Sequence, residues 1–167
     1  MGVSHIHMTA YSMARRASTR RAMTLLELAV VVAIVGMLST MAVLRYGSST
    51  VADVEGQSFA RRLALDCSQS RRRAIGSGDN HLVRFTLSGG NASQYAIHRR
   101  QGATMTPVDE VVSVPADVTV TTGGATNIEF TFTGEALASY TITVVAPDRS
   151  WTVTLPQVTG KAFVDEL

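Results

Sequence analysis

The sequence predicts an α+β protein in which one long N-terminal helix packs on a small domain of antiparallel β-sheet. Three observations lead to this prediction. Residues 23–44 form an apolar stretch, a helical spacing of apolar residues continues to residue 75, and from residue 81 apolar residues recur at every second position. Because a period of about 3.6 is typical of helices and a period of two is typical of strands, the change marks the end of the helix.

The apolar stretch is long enough to span a membrane. Its 22 residues are apolar or small except for Glu27, and as a helix they extend roughly 33 Å, compared with a hydrocarbon core of about 30 Å. No acidic residue precedes the stretch, whereas four arginines do: Arg15, Arg16, Arg20 and Arg21. By the positive-inside rule, we expect the N-terminus to stay in the cytoplasm and everything after Leu44 to be exported.

Glu27 is the unusual feature of this stretch, because a carboxylate inside a spanning helix is costly and usually functional. A cut between Ala22 and Met23 would create an amino terminus four residues before Glu27, and one helix could then place its amine against the Glu27 of a neighbour. A plain single-span anchor would explain the hydropathy and the arginines but not Glu27. A secretory signal peptide, with residues 40–42 as its cleavage site, would need a shorter apolar run.

After the spanning stretch, the helix is expected to become amphipathic. Apolar or small residues recur there at spacings of three or four and form one stripe: Val51 or Ala52, Phe59, Leu63, Cys67, Ser70 and Ala74. The segment Gly76-Ser77-Gly78-Asp79-Asn80 follows the last of them. Since glycine just past the last periodic residue is a helix-stop signal, we expect the helix to end at about Ile75.

Eight short strands are predicted after the helix. They are rich in β-branched and aromatic residues, are separated by turn residues, and cover residues 81–87, 94–99, 110–114, 118–121, 128–132, 140–145, 151–155 and 161–164. In the strand 140–145 we expect Tyr140, Ile142 and Val144 to form the buried face, and we expect Trp151 to be a core residue. Short strands with little intervening helix indicate antiparallel sheets.

Composition narrows the possible functions. The chain of 167 residues has a net charge of +2, but removal of the four leader arginines leaves 11 basic and 13 acidic residues, or −2, so the charge does not indicate nucleic-acid binding. Cys67 is the only cysteine, which excludes an intrachain disulfide. We predict no cofactor and no metal site, because the histidines have no ligand spacing and the pair Asp165-Glu166 offers too few oxygen ligands for calcium.

No catalytic constellation stands out, so we predict that the protein is not an enzyme. Ser77, Asp79 and His81 are close in sequence, but a glycine-rich helix exit explains them better than a catalytic site.

The segment Ala22-Met23-Thr24-Leu25-Leu26-Glu27, with the apolar run behind it, resembles the processing site of type IV pilins and of the pseudopilins of type II secretion. In that family a prepilin peptidase cuts after a small residue, usually glycine, and N-methylates the new first residue. The resemblance implies cleavage after Ala22, methylation of Met23, and a role for Glu27 in assembly through pairing with the new terminus of a neighbour. Two departures are Ala22 itself, in place of glycine, and Leu44, where many pilins have a helix-kinking proline.

The resemblance also implies an organisation for the chain. Residues 1–22 would be a leader peptide, 23–44 the transmembrane half of the helix, 45–76 its amphipathic half, and 77–167 a periplasmic β-domain. The protein would be a single-pass inner-membrane protein that assembles into a pseudopilus. The layout is similar to the branch that contains the minor pseudopilin GspH and the minor pilin FimT, whose β-domain consists of two small antiparallel sheets. Arg71-Arg72-Arg73-Ala74-Ile75 and Val158-Thr159-Gly160-Lys161 match that branch loosely.

We therefore expect a minor pseudopilin, a structural subunit of the type II secretion pseudopilus. Its partners would be other pseudopilins or pilins, bound through N-terminal helices, together with the prepilin peptidase and the inner membrane. The alternative is a FimT-like minor type IV pilin that acts in pilus assembly or DNA uptake.

DNA is a possible partner but is not favoured. Arg71, Arg72, Arg73 and Lys161 could contact nucleic acid or a protein partner, but a solvated helix face, with ion-pair partners such as Asp66, is the preferred explanation. FimT-like proteins that capture DNA carry Gly-Arg-x-Arg near the C-terminus. The segment 160–163 of this chain has one charge instead of two.

Overall fold

The computed structural model describes residues 24–167, apart from the side chains of residues 44–46 and 48. Ala22 and Met23, at the expected cleavage site, lie outside the described residues. The described part contains one helix and nine strands. The chain divides between Thr40 and Met41 into two compact units.

Helix α1 comprises Leu25–Ser77 and runs through both units, within two residues of the predicted bounds. Thr24 caps its start, because the Thr24 hydroxyl accepts a hydrogen bond from the backbone N–H of Glu27 at 3.2 Å. Thr24 and Glu27 therefore occupy the first and last positions of a Thr-x-x-Glu capping sequence. The segment Leu25–Val43 is long and apolar enough to cross a membrane, and none of it is buried.

Gly78 ends α1, as the sequence predicts for the glycine-rich segment. Its backbone N–H donates to the carbonyl of Ala74 at 3.1 Å, and its φ of +73° lies in the left-handed region that glycine adopts without strain. Asp79 then donates its backbone N–H to the Ser77 hydroxyl. This hydrogen bond explains the closeness of Ser77 and Asp79 as a feature of the helix exit.

The second unit contains two antiparallel sheets, which confirms the predicted fold class. The first sheet has the order β3-β2-β1-β6, with β4 also paired to β2; its strands are β1 (Asn80–Ser88), β2 (Asn91–Gln101), β3 (Thr104–Pro107), β4 (Val112–Ser113) and β6 (Asn127–Phe130). The second sheet has the order β5-β7-β8-β9; its strands are β5 (Thr119–Thr121), β7 (Tyr140–Val145), β8 (Ser150–Leu155) and β9 (Phe163–Glu166).

The edge of the first sheet differs from the prediction. Strand β3 was not expected, and the predicted strand 110–114 is reduced to the two residues of β4. Residues 104–114 run along β2 in two pieces because Pro107 ends β3 and residues 109–111 leave the edge before β4 begins. Asp109, in this interruption, reaches across to α1 and binds Arg73.

The core lies between α1 and the two sheets. The residues of the predicted stripe are all buried, with Ala52 rather than Val51 inside: Ala52, Phe59, Leu63, Cys67, Ser70 and Ala74. Gly56 and Ala60 of the same helix are buried as well. Tyr95 of β2 packs edge-on against the rings of Phe59 and Phe85. Ile142, Val144 and Trp151 of the second sheet are buried, as expected, and Tyr140 is partly buried.

Gly56 of α1 packs directly against Trp151 of the second sheet. A Cβ atom at this position would lie 2.7 Å from Cζ3 of Trp151 and 3.1 Å from Cβ of Ala146. Both distances are shorter than a normal carbon–carbon contact, so a residue without a side chain is needed for this packing.

Candidate functional site

The first candidate site is the start of α1, where Glu27 is the third residue of the helix. Its carboxylate lies in the first turn, where the helix dipole favours negative charge, and its side chain is exposed. Among the side chains that the structure describes, no cation forms an ion pair with Glu27. The described chain therefore supplies a helical position for this carboxylate but no counter-charge.

The apolar segment that follows Glu27 also has no partner within the described chain. Its large side chains are all exposed, including Leu25, Met37 and Met41. An apolar surface of this extent is stable only against lipid or other apolar helices. The start of α1 thus combines an apolar surface and one carboxylate, both of which require an external partner.

The second candidate site is the arginine triplet near the end of α1. Arg71 donates Nε to the carbonyl of Gly134 at 2.7 Å, and Arg73 forms a two-pronged ion pair with Asp109 at 2.6 and 3.1 Å. Arg72 is exposed. The triplet therefore fans out, and two of its three side chains hold loops of the β-domain against the helix.

Asp66 is not the partner of this triplet, although the sequence suggested it. Its carboxylate accepts a hydrogen bond from the Tyr95 hydroxyl at 2.6 Å and lies 3.9 Å from Arg62, one helical turn earlier. Because Tyr95 is buried, this contact ties the helix to the centre of the first sheet. The expected ion pair of the triplet with Asp66 is therefore not formed, and the partners of Arg71 and Arg73 come from the β-domain instead.

Lys161, the fourth of the predicted cationic side chains, contacts an aromatic ring. Its Nζ is 5.2 Å from the centre of the Phe163 ring, a cation–π contact, and the side chain is exposed. Gly160, one residue before it, packs directly on the Arg71 side chain. Arg99 and Arg100, at the end of β2, are bound to Asp79 and Glu129 instead.

A buried carboxylate in β6 was not anticipated from the sequence. Glu129 is only 1% exposed; its Oε1 accepts a hydrogen bond from Asn80 at 2.9 Å, and its Oε2 lies 3.1 Å from the Arg100 guanidinium. The signal that could have revealed it is the strand Ile128-Glu129-Phe130, in which a lone charge lies between two large apolar residues. The contacts are structural, since both partners belong to neighbouring parts of the same sheet.

Three other ionisable groups have shifted pKa values because of burial or hydrogen bonding. Burial, and then the charge of Asp66, raises the pKa of the Cys67 thiol, so the thiolate is disfavoured. Burial and the hydrogen bond to Asp66 raise the pKa of Tyr95, whereas the hydrogen bond from Arg99 lowers the pKa of Asp79. Within residues 24–167, no group of three His, Cys, Asp or Glu side chains could hold a metal ion.

These features define the type IV pilin-like fold: a helix whose first part is apolar and unburied, and whose second part packs on two antiparallel sheets. The fold is similar to that of the type IV minor pilin FimU of Pseudomonas aeruginosa strain PAO1, with a TM-score of 0.56 and 14% sequence identity over 69% of this chain and 90% of that one. It is also similar to the minor pseudopilin EpsH of the type II secretion system of Vibrio cholerae. Two structures of EpsH match with TM-scores of 0.53 and 0.50, at 14% and 16% identity, over 70% of this chain and 97% and 95% of those chains.

No protein-family model and no curated protein sequence matches the chain. At 14–16% identity, the structural likeness establishes the fold and does not separate a minor pilin from a minor pseudopilin.

Proposed function

We propose that the protein is a minor pseudopilin, a non-enzymatic subunit of a type II secretion pseudopilus, built into the fibre through its N-terminal helix. The observation that carries this proposal is the apolar segment Leu25–Val43, which has no buried residue of its own and belongs to the same helix that packs on a pilin-like β-domain. Since such a surface must be covered by lipid or by other helices, it suits a subunit that moves from a membrane into a helix bundle.

The proposed organisation has four parts. Residues 1–22 are a leader that prepilin peptidase removes, 23–44 span the inner membrane, 45–76 continue as the amphipathic half of the helix, and 77–167 form the β-domain in the periplasm. The arginines before the span support a cytoplasmic N-terminus.

In this proposal Glu27 sets the position of the subunit in the fibre. Cleavage after Ala22 exposes the amine of Met23, which is then methylated and keeps its positive charge. The Glu27 carboxylate, which has no counter-charge among the described residues, pairs with that amine on an adjacent subunit. Between helices, where water is excluded, a matched pair is favourable and a missing partner is costly, so pairing selects one axial register.

The test is a pair of measurements on the full chain, expressed in cells that make its pilin-like partners. Mass spectrometry of the purified protein should show a mature chain beginning at methylated Met23. Glu27→Gln should be processed and held in the membrane but should not co-purify with other pilin-like subunits. Glu55→Gln is the matched control, because Glu55 is an exposed glutamate in the second half of the same helix.

A different mature terminus, or undiminished co-purification of Glu27→Gln, would contradict the proposal. The identity of the co-purifying proteins distinguishes the two systems, because the fold is similar to both a minor pilin and a minor pseudopilin. Secretion components support the pseudopilin, and pilus components support a FimT-like minor pilin.

DNA uptake by such a minor pilin is the less favoured alternative, because Arg71 and Arg73 are bound within the domain. A gel-shift titration against salt tests it: the retention of DNA at low salt, falling steeply as salt is added, would favour DNA binding.

A further inference from the structure

Two tight turns of the β-domain lie against each other at the end of α1. The first closes with a hydrogen bond from the Gly134 N–H to the Thr131 carbonyl at 2.8 Å, and the second with one from the Gly160 N–H to the Pro156 carbonyl at 3.0 Å. Gln157 joins them, because its carbonyl accepts a hydrogen bond from Ala136 and its side chain donates to the carbonyl of Leu137.

Close packing locks both turns in place. Gly134 has a φ of +85°, and a Cβ atom there would lie 2.7 Å from Cδ1 of Ile75. Gly160 has a φ of +56°, and a Cβ atom there would lie 2.5 Å from the carbonyl oxygen of Gly134. The Arg71 side chain contacts both glycines and donates a hydrogen bond to the first. Both positions therefore require glycine, and the two turns are held as one rigid element on the helix.

This rigid element presents large apolar side chains to solvent. Phe132, at the tip of the first turn, is 60% exposed, and Val158, at the tip of the second, is 81% exposed. Leu137 and Ile75, which adjoin the turns, are 49% and 50% exposed. We call these four residues the two-turn patch. Apolar side chains on a preorganised surface lose little conformational entropy on binding, which is a property of interaction sites.

We propose that the two-turn patch docks on the β-domain of a neighbouring pilin-like subunit in the same fibre, and that Arg71 is a positioning residue for it. The inference rests on the proposed function and adds a contact surface to it. It also gives Arg71 a role in protein assembly rather than in phosphate binding, since its Nε is already engaged with Gly134.

The small number of exposed side chains favours an occupant that is already held nearby. Four side chains cannot cover the roughly 800 Å² per partner that a stable complex between freely diffusing proteins usually buries. The patch can contribute only where another contact already holds the partner nearby, which raises the effective concentration. Helix packing between subunits provides that contact in a fibre.

The test uses the full chain with Phe132→Ser and Val158→Ser combined. Both side chains are exposed, so the thermal unfolding midpoint should stay close to that of the wild type. Co-purification with other pilin-like subunits should fall at least about tenfold, the change that a loss of ~1.4 kcal/mol produces. Val111→Ser is the matched control: Val111 is similarly exposed but belongs to the interruption between β3 and β4, and its substitution should leave co-purification unchanged.

A photo-crosslinking residue at position 132 provides a measurement that does not depend on the double variant. It should yield an adduct with another pilin-like subunit, and the adduct should weaken in Arg71→Lys, which lacks the planar guanidinium that reaches Gly134. Wild-type co-purification of the double variant, or an adduct with a protein of another class or with none, would overturn the inference.

The variant Glu27→Gln keeps the two proposals distinguishable. If it abolishes co-purification while the double variant does not, only the docking surface is wrong. If it has no effect, the proposed function itself is wrong.

Discussion

Replacement of Gly56 by alanine tests the packing of α1 on the second sheet. In an open helix this substitution would stabilise the protein by about 1 kcal/mol, because alanine has the higher helix propensity. Here the new methyl group would lie 2.7 Å from the Trp151 ring and 3.1 Å from Ala146. Overpacking of a core typically costs about 1–3 kcal/mol. Because the new methyl group makes two short contacts at once, we expect a cost of ~3 kcal/mol at this site. We therefore expect a net loss of about 2 kcal/mol.

The assay is urea unfolding of the full chain in detergent, followed by the fluorescence of Trp151. Since the chain has one tryptophan, the signal reports on the contact itself. With a slope of about 1–3 kcal/mol per molar urea, a 2 kcal/mol loss lowers the midpoint by roughly 0.7–2 M.

Gly76→Ala is the matched control for this substitution. Gly76 lies in the same helix, and a Cβ atom there would meet nothing within 4 Å. The control should be neutral or slightly stabilising. A Gly56→Ala variant as stable as Gly76→Ala would show that α1 does not lie against Trp151 as described.

Three further predictions concern buried polar groups. The pKa of the Tyr95 hydroxyl is raised in the folded protein, so the neutral hydroxyl should stabilise the fold below the unfolded pKa of about 10, and this stabilisation should be lost as pH rises through the folded pKa. The stability of Tyr95→Phe in urea unfolding should therefore depend less on alkaline pH than that of the wild type, and an equal dependence would contradict this. Cys67 should react with a thiol reagent only after denaturation, since the thiol is buried and its pKa is raised; rapid labelling of the native protein would refute it. Arg100→Ala should cost about 3 kcal/mol by leaving Glu129 buried without its cation, and Arg100→Ala combined with Glu129→Leu should recover most of this in thermal melts.

The helix and its buried face could be predicted from the sequence because their signal is periodic and long. An apolar run of 22 residues and a stripe repeated over six turns leave few alternatives. The stop at Gly78 follows from local chemistry, since glycine adopts its φ of +73° without strain. These features depend on residues that are close in sequence, and pattern reasoning is reliable at that range.

Features that depend on distant residues were less accessible. All four residues of strand β3 are exposed and one of them is Pro107, so neither composition nor alternation signals the strand. It forms because β2 is long enough to pair with two segments. The roles of Arg71 and Arg73 depend on Gly134 and Asp109, which follow them by 63 and 36 residues. A local pattern of three arginines cannot show whether loops from the sheets will occupy them.

The two ends of α1 differ in whether their polar groups are satisfied within the chain. Near the end, Arg71 and Arg73 have partners in the β-domain, and Asp66 is bound to Tyr95. At the start, Glu27 has no cationic partner among the described residues, and the apolar side chains around it are unburied. Since unmatched polar and apolar groups are the ones that gain most from association, the drive for assembly should reside in the first helical turns. The β-domain should then adjust which neighbour is accepted, through apolar contacts such as the two-turn patch. On this reasoning, loss of Glu27 should abolish incorporation into a fibre, whereas loss of Phe132 and Val158 should weaken it.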